Sequence, residues 1–328
     1  MMREKINILF TSSGRRVSLI KSFKKTFIDQ NIDGKIITAD LQSSAPTKYF
    51  SDNHYIVPKV SEPEYISKLM DICIEESINL IIPLIDTELS LLSKNRSLFK
   101  EIDVTILVSG LMLNEISNDK NKTYEFFIGH GIKTPKVYNS LELMEHNLLY
   151  PLLIKPYNGS GSKGVTIVNS KEELIFFKDY IPNALVQEYI EGKEYTVDVM
   201  VDLKGNIKTI VPRMRIETRA GEVSKGITKK NEKIISATKE VIKVLPEPFG
   251  CITLQCFEQK NGDITFIEIN PRFGGGLPLS IAAGANFPLW TIQLLLGEGF
   301  TSMYTDWKEN FTMLRFDEAV FTETLEYD

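Results

Sequence analysis

The sequence predicts an α/β domain with a parallel sheet, followed by a larger α+β domain. Three observations carry this. Up to about residue 112, short apolar runs alternate with helical patterns, and beyond Gly110 the chain becomes rich in strand-like segments. A length of 328 residues gives room for about two domains at roughly 150 residues each. The expected division is 1–112 and 113–328.

In the first part, residues 6–10 form an apolar run that reads as a strand, closed by the turn Ser12-Ser13-Gly14 and followed by a helical pattern over 16–28. Strands follow at 35–39, 80–83 and 104–108, with helices over 65–76 and from Glu88 between them. Strands alternating with helices imply parallel pairing. In the second part, 120–129 is helical and Pro135-Lys136-Val137-Tyr138 opens an α+β region. Strands at 152–155 and 165–168 flank a glycine-rich loop, 158–164; a helix from Lys171 and a strand ending at Glu188 follow. The last third carries strands at 195–201, 207–215, 251–257 and 264–269, and a helix over 288–296. No internal repeat of fixed period is evident.

Composition narrows the function classes. Lys and Arg number 38 against 43 Asp and Glu, a net charge of -5, which argues against a nucleic-acid backbone or an anionic membrane as partner. No apolar run approaches the length of about 18 residues that a membrane helix needs, and the run at 6–10 is too short for a signal-peptide core. Three cysteines, Cys73, Cys251 and Cys256, are an odd number without metal-ligand spacing and read as buried thiols of a reducing, cytoplasmic compartment. His54, His130 and His146 fall in no chemical motif and read as structural or surface residues.

Gly159-Ser160-Gly161-Ser162-Lys163-Gly164 fits G-x-G-x-x-G, but a dinucleotide fingerprint requires a helix after the loop, and here a strand follows. A P-loop needs Lys after the last glycine, where Val165 stands. A protein kinase would need H-R-D and D-F-G segments downstream, and the sequence has neither. What remains is a hairpin loop, with Lys155 on its incoming strand, whose glycine backbone can approach phosphate oxygens. The alternative is a surface hairpin without ligand. The single Gly14 turn with Asp40 downstream is a poor dinucleotide site.

The sharpest geometry lies between Cys251 and Arg272. Asn261-Gly262 predicts a two-residue type I′ hairpin turn. Counting back from that turn places Gln255 opposite Glu268 and Thr253 opposite Asn270, so Gln255, Glu268 and Asn270 share one face. Three oxygen-bearing side chains without His or Cys suit a hard cation such as Mg²⁺. A solvent-facing polar edge is the alternative, but Phe257, Phe266, Ile267 and Ile269 make both faces apolar, and an unpartnered buried Glu268 would be costly. Arg272 follows at once, and Arg213 and Arg215 form a second same-face pair suited to phosphate or carboxylate oxygens, or to surface ion pairs.

Taken together, Asp119-Lys120, the segment 151–156, the glycine loop, the segment 187–195 and Phe266-Ile267-Glu268-Ile269-Asn270-Pro271-Arg272 resemble the ATP-grasp superfamily. The resemblance covers about 115–300 in the correct order. The opening Thr11-Ser12-Ser13-Gly14-Arg15-Arg16 and the segment 83–88 look most like carbamoyl-phosphate-synthase-like ATP-grasp proteins of single-module length. It implies a Rossmann-like pre-ATP-grasp domain and an ATP-grasp fold of two α+β subdomains clamping ATP, with the lid over about 122–188.

The resemblance also implies site residues. Lys120 and Lys155 would contact ATP phosphates beneath a loop containing Gly159, Ser160, Gly161, Ser162 and Gly164. Glu188, Tyr189 and Ile190 would form the adenine hinge, and Glu194 would accept ribose hydroxyls. Gln255, Glu268 and Asn270 would hold one or two Mg²⁺ ions, with Mn²⁺ a possible substitute. Arg272 would stabilise the phosphoryl group in transfer, and Arg215 would act likewise or bind substrate. Gly14, Arg15, Asp86, Glu88 and Arg213 are further substrate candidates. Many amide-forming relatives carry Asp where Gln255 stands. The implied activity is ATP-dependent ligation of a small carboxylate to an amine through an acylphosphate. The alternatives are phosphorylation of bicarbonate or carbamate, and non-catalytic ATP binding. A homodimer is the default assembly.

Overall fold

The computed structural model describes residues 5–144, 148–159, 164–219 and 221–323. The first part is built on a five-stranded parallel sheet, ordered β3-β2-β1-β4-β5. Its strands are β1 (Ile8–Thr11), β2 (Ile36–Asp40), β3 (Asn53–Ile56), β4 (Leu80–Pro83) and β5 (Thr105–Ile106). Helices α1 (Val17–Asp29), α2 (Tyr65–Glu75), α3 (Asp86–Lys94) and α4 (Arg96–Lys100) connect and cover them. β1, β2 and β4 are almost wholly buried, as expected of apolar runs sandwiched between helices. The edge strand β3 was not foreseen: Asn53-His54-Tyr55-Ile56 is half exposed and lacks an apolar run.

Helices α5 (Leu111–Asn118) and α6 (Lys120–Gly129) lead onward, with Asp119 capping α6 through bonds from the Asn121 and Lys122 amides. A three-stranded antiparallel sheet, β7-β6-β8, follows: β6 (Leu152–Pro156), β7 (Thr166–Val168) and β8 (Ala184–Glu188). With α7 (Lys171–Tyr180) it encloses a small core of its own around Leu152, Ile154, Val168, Leu174 and Val186.

The third sheet is six-stranded, ordered β13-β12-β9-β10-β11-β14. It comprises β9 (Gly192–Val201), β10 (Ile207–Arg219), β11 (Glu222–Thr228), β12 (Gly250–Gln259), β13 (Ile264–Asn270) and β14 (Thr312–Leu314). Helix α8 (Glu232–Val244) lies between β11 and β12, and α9 (Leu277–Ala282) and α10 (Phe287–Leu295) follow β13. One face of this sheet presents Val197, Val199, Leu254 and Ile269 to Ile234, Ile235, Val241 and Ile242 of α8 and to Phe127 of α6. The opposite face carries the polar residues described below. Another cluster crosses between the two parts of the chain, joining Phe10, Phe23 and Leu84 to Phe273, Phe287 and Trp290, with Phe23 and Phe273 edge to face at 6.0 Å. No described helix is long and apolar enough to cross a membrane.

The β12–β13 hairpin corrects the expected turn. Gln259 N–H donates to Asp263 and Gly262 N–H to Gln259, so the tip is the three-residue loop Lys260-Asn261-Gly262, with only Gly262 at positive φ (+85°). The pairs nearest the tip, such as Cys256 with Phe266, are therefore one residue off the expected register. A bulge at Ile267 then shifts the pairing back, so that Gln255 faces Glu268 and Thr253 faces Asn270. Two departures from the simple hairpin cancel before the chain reaches the site.

Candidate functional site

Register alone collects most of the site. Across the polar face of the six-stranded sheet, one row pairs Asn270, Thr253 and Asp198; the next pairs Glu268, Gln255, Thr196 and Arg213. Glu194 and Arg215 lie one step further on. Alternation puts all of these on one side, because residues two apart on a strand share a face.

Glu268 is half-buried and takes no hydrogen bond or ion pair from a described residue. Gln255 Oε1 accepts from Arg215 Nη1 at 3.3 Å, and Asn270 Oδ1 accepts from Arg272 Nη2 at 3.2 Å. No cluster of three His, Cys, Asp or Glu side chains suited to a metal occurs among the described residues. A cation here would therefore rest on one carboxylate and two amide oxygens. That donor set suits a hard ion keeping waters or substrate oxygens in its shell, and the unpaired Glu268 fits it.

Opposite stands Lys155, near Glu268 and Lys120, likewise with no bonded partner among the described residues. Burial lowers its pKa to about 8, with Glu268 opposing the drop and Lys120 adding to it. Lys120 opens α6 and donates to the Gly159 carbonyl at the start of the glycine loop. Lys120, Lys155, Gln187 and the bulged Ile267 line a small shared cavity. Gly164 is at φ +71°; Ser160, Gly161 and Ser162 lie outside the described residues. Glu188, Tyr189 and Ile190 link β8 to β9, the first exposed and the last buried. The Glu188 carboxylate accepts the Lys136 amide at 3.3 Å.

The arginines divide. Arg215 donates to Glu194, whose pKa burial raises against the pull of Arg215. Arg213 is buried and grips Asp198 through Nε at 2.6 Å and Nη2 at 2.9 Å, and Ser280 donates to the same carboxylate at 2.6 Å. The pair holds β10 to β9 and does not open onto the cleft as a free cation. Arg272 Nη2 reaches Asp86 Oδ2 at 2.6 Å, tying the end of β13 to the first turn of α3. Burial alone would lower the Arg272 pKa, but Asp86 carries it above its ordinary value.

The remaining substrate candidates separate as well. Gly14, at φ +43°, donates its N–H to Asp40 at 2.7 Å, so Asp40 organises the turn. Glu88 is fully buried: its oxygens accept from Tyr65 at 2.6 Å, Ser12 at 3.2 Å and the Leu84 and Ile85 amides at 3.0 and 3.3 Å. As the third residue of α3 it braces the helix start, the return half of a capping box, and faces no open space. Arg15 is exposed, 3.5 Å from Glu222. A cavity of about 920 Å³ opens beside this turn at the carboxyl ends of β1, β2 and β4, lined by Ser12, Gly14, Asp40, Tyr65 and Thr87.

Two residues at the cleft, Arg315 and Asp198, were not singled out from sequence, whereas Arg16 closes the run Thr11-Ser12-Ser13-Gly14-Arg15-Arg16 quoted above. Arg16 projects beside Gly275, and Arg315, beyond β14, donates to the Gly275 carbonyl at 2.5 Å and pairs with Glu222 at 3.1 Å. Asp198 was readable, since Glu194, Thr196 and Asp198 alternate along one strand. Arg315 lies in a tail with no periodic pattern to mark it.

Comparison with known families agrees with this architecture. Residues 8–107 match the family described as PylC-like, N-terminal domain, and residues 117–276 match the ATP-grasp domain. The chain is an ATP-grasp protein. More particularly, it is one of those that carry a PylC-like N-terminal domain. A D-alanine–D-alanine ligase of Fusobacterium nucleatum is 28% identical over 175 residues, 51% of this chain and 60% of that protein. A 3-methyl-D-ornithine–L-lysine ligase of Methanosarcina acetivorans is 26% identical over 183 residues, 56% of this chain and 46% of that protein. The matches thus span about half the length of these relatives. The biotin carboxylase domain of Hydrogenobacter thermophilus 2-oxoglutarate carboxylase, solved with MgADP, ADP and bicarbonate, superposes with a TM-score of 0.73 at 18% identity. That match covers 93% of this chain and 73% of that one, and shows the shared fold.

Proposed function

We propose that the protein is a Mg²⁺-dependent ATP-grasp ligase that activates a small-molecule carboxylate as an acylphosphate and joins it to an amine. The observation that carries this reading is the unpaired Glu268, between Gln255 and Asn270, facing the unpaired Lys155 with Arg272 alongside. A half-buried anion and a half-buried cation left without partners are costly unless a ligand completes both. The ligase names of the two relatives, and the MgADP in the structural neighbour, support it.

In this reading residues 1–112 and 113–328 act as pre-ATP-grasp and ATP-grasp parts. Lys120 and Lys155 hold the phosphates and the glycine loop covers them. The link Glu188 to Ile190 borders the adenine, and Glu194 faces the ribose once Arg215 yields to it. Gln255, Glu268 and Asn270 hold Mg²⁺, which spreads the charge of the transferring phosphoryl group; Mn²⁺, also satisfied by oxygen ligands, would substitute. Arg272, anchored by Asp86, is aimed at the same charge. Transfer of the terminal phosphoryl group makes the carboxylate an electrophile, and attack by the amine at its carbonyl carbon expels phosphate. Gly14, Arg15 and Asp86 lie toward the acceptor end of the cleft.

The test is release of ADP and phosphate from MgATP across a panel of amino acids, other small acids and bicarbonate, each with and without amines, using Glu268→Ala as the blank. Release requiring one acid and one amine is expected. Release on bicarbonate alone would replace ligation by carbamoyl-phosphate-type chemistry. MgATP binding without release under any condition would sink the catalytic reading.

A further inference from the structure

The ligase reading leaves the cavity of about 920 Å³ beside the Gly14 turn without a use. Every residue lining it falls between Ser12 and Lys94, so the first part of the chain walls it alone; Lys120, Lys155, Glu268 and Arg272 take no part. It lies where the chain reverses its course across the sheet. From β1 the chain runs to β2 and β3 on one side, then crosses to β4 on the other. Open α/β sheets take ligands in the crevice at the carboxyl ends of their strands, at such a reversal.

Sheet order and helical period assemble the cavity. Asp40, the last residue of β2, lies between two apolar sides. Val57 and Val60 come from the segment after β3, and Ile85 from the segment after β4. Thr87, Ser90, Leu91 and Lys94 complete the β4 side from one face of α3, spaced i, i+3, i+4 and i+7. Asp86, one residue before Thr87, instead bonds Arg272, so α3 divides the cavity from the cleft.

The lining limits the ligand. Apolar side chains on opposite sides suit a flat ring. The Asp40 carboxylate accepts the Gly14 amide at 2.7 Å through Oδ2 and the Gln42 amide at 3.1 Å through Oδ1. Each oxygen keeps lone-pair capacity for a further donor. With its charge already shared by two N–H groups, it suits a pair of hydroxyls better than a counter-ion. Thr87 and Ser90 offer hydroxyls that bond no described residue, matched to the polar edge of a ring. A lone glycine cannot cradle a pyrophosphate. Lys94 already pairs with Glu115 at 3.8 Å, whereas the Lys59 ammonium bonds no described residue and could receive one phosphate.

We infer that this cavity is a second ligand site, for a nucleoside or nucleoside monophosphate, separate from the ATP cleft. The base lies between the Val57–Val60 segment and α3, and the ribose hydroxyls donate to Asp40. The inference goes beyond the ligase reading and does not rest on it.

The experiment is equilibrium dialysis of labelled adenosine, guanosine, cytidine, uridine and their 5′-monophosphates against the full chain. At least one should bind at one equivalent per chain, with the same affinity in Glu194→Ala, which disturbs only the ATP cleft. Its 2′,3′-dideoxy form should bind about 10- to 100-fold more weakly, the range of hydrogen bonds to a charged acceptor. Asp40→Asn, which keeps an oxygen for the Gly14 amide, and Ser90→Trp, which fills the cavity from α3, should each weaken the nucleoside to a similar degree. Both variants should keep the rise in melting temperature that MgATP gives wild type, which separates a lost site from a lost fold. No binding in wild type, binding abolished by Glu194→Ala, equal affinity for the dideoxy form, or binding unchanged in either cavity variant would overturn the second site. The ligase reading is decided separately, by the release assay.

Discussion

Glu268 and Lys155 are charges that the fold tolerates without neutralising. Replacing Glu268 by Gln should lower phosphate release by about 100-fold or more, in line with losing one charged group from a phosphoryl-transfer site. Its thermal midpoint without ligand should stay at or above that of wild type. Lys155 gives a pH signature. Its folded pKa of about 8 lies below the ordinary 10.5, so the protonated side chain burdens the folded state fully below pH 8 and is relieved as pH rises toward 10.5. Lys155→Met should therefore melt about 2–4 °C higher than wild type at pH 7. The gap should close toward pH 10, and MgATP should stabilise wild type more than the variant. A constant gap across that range would mean that the lysine is not held charged and buried. Arg213 behaves oppositely. Arg213→Met leaves Asp198 buried and uncompensated and should cost about 3–5 kcal/mol in denaturant unfolding. A loss under about 1 kcal/mol would show that the pair contributes little.

At the scale of elements, the β12–β13 hairpin shows what the sequence could and could not tell. Gln255, Glu268 and Asn270 were legible because a turn signal and a two-residue period suffice to find a face. The turn type was not, since Asn-Gly serves a three-residue loop as readily as a two-residue one, and nothing local marks Ile267 as the bulge. Helix α8 was legible but unread: Asn231 caps it, and Ile234, Ile235, Thr238, Val241 and Ile242 follow a helical period. The edge strands β3 and β14 are half exposed or exposed and carry no apolar run to announce them. The bond from Arg272 to Asp86 spans 186 residues, and no periodicity encodes such a partner. The hairpin tip yields its own prediction. Gly262→Val forces a branched side chain into φ +85° and against Lys233, and should cost about 1–3 kcal/mol in chemical denaturation. Catalysis should survive in whatever fraction stays folded.

For the whole molecule, burial of the cysteines makes a simple probe. Desolvation raises Cys73 to about 12 and lifts Cys251 and Cys256 further above the ordinary thiol range. A thiol reagent at pH 8 should label the native protein slowly and all three sites together on unfolding. Rapid labelling of Cys251 alone would reveal opening of β12. Both tryptophans, Trp290 and Trp307, lie in the cluster that joins the first sheet to the third. Their fluorescence and far-ultraviolet circular dichroism should therefore report one coincident transition.

That joint core bears on how the gene can be recombined. Phe23 on α1 meets Phe273 just past the Asn270-Pro271-Arg272 run, so the two parts are matched to each other and are not interchangeable modules. A chimera taking its first hundred or so residues from a relative would keep a working seam only if the incoming helix brought an aromatic ring of similar size to that contact. Breeding such hybrids, with the residue at position 23 as the variable, would turn a packing detail into a rule for which halves can be exchanged.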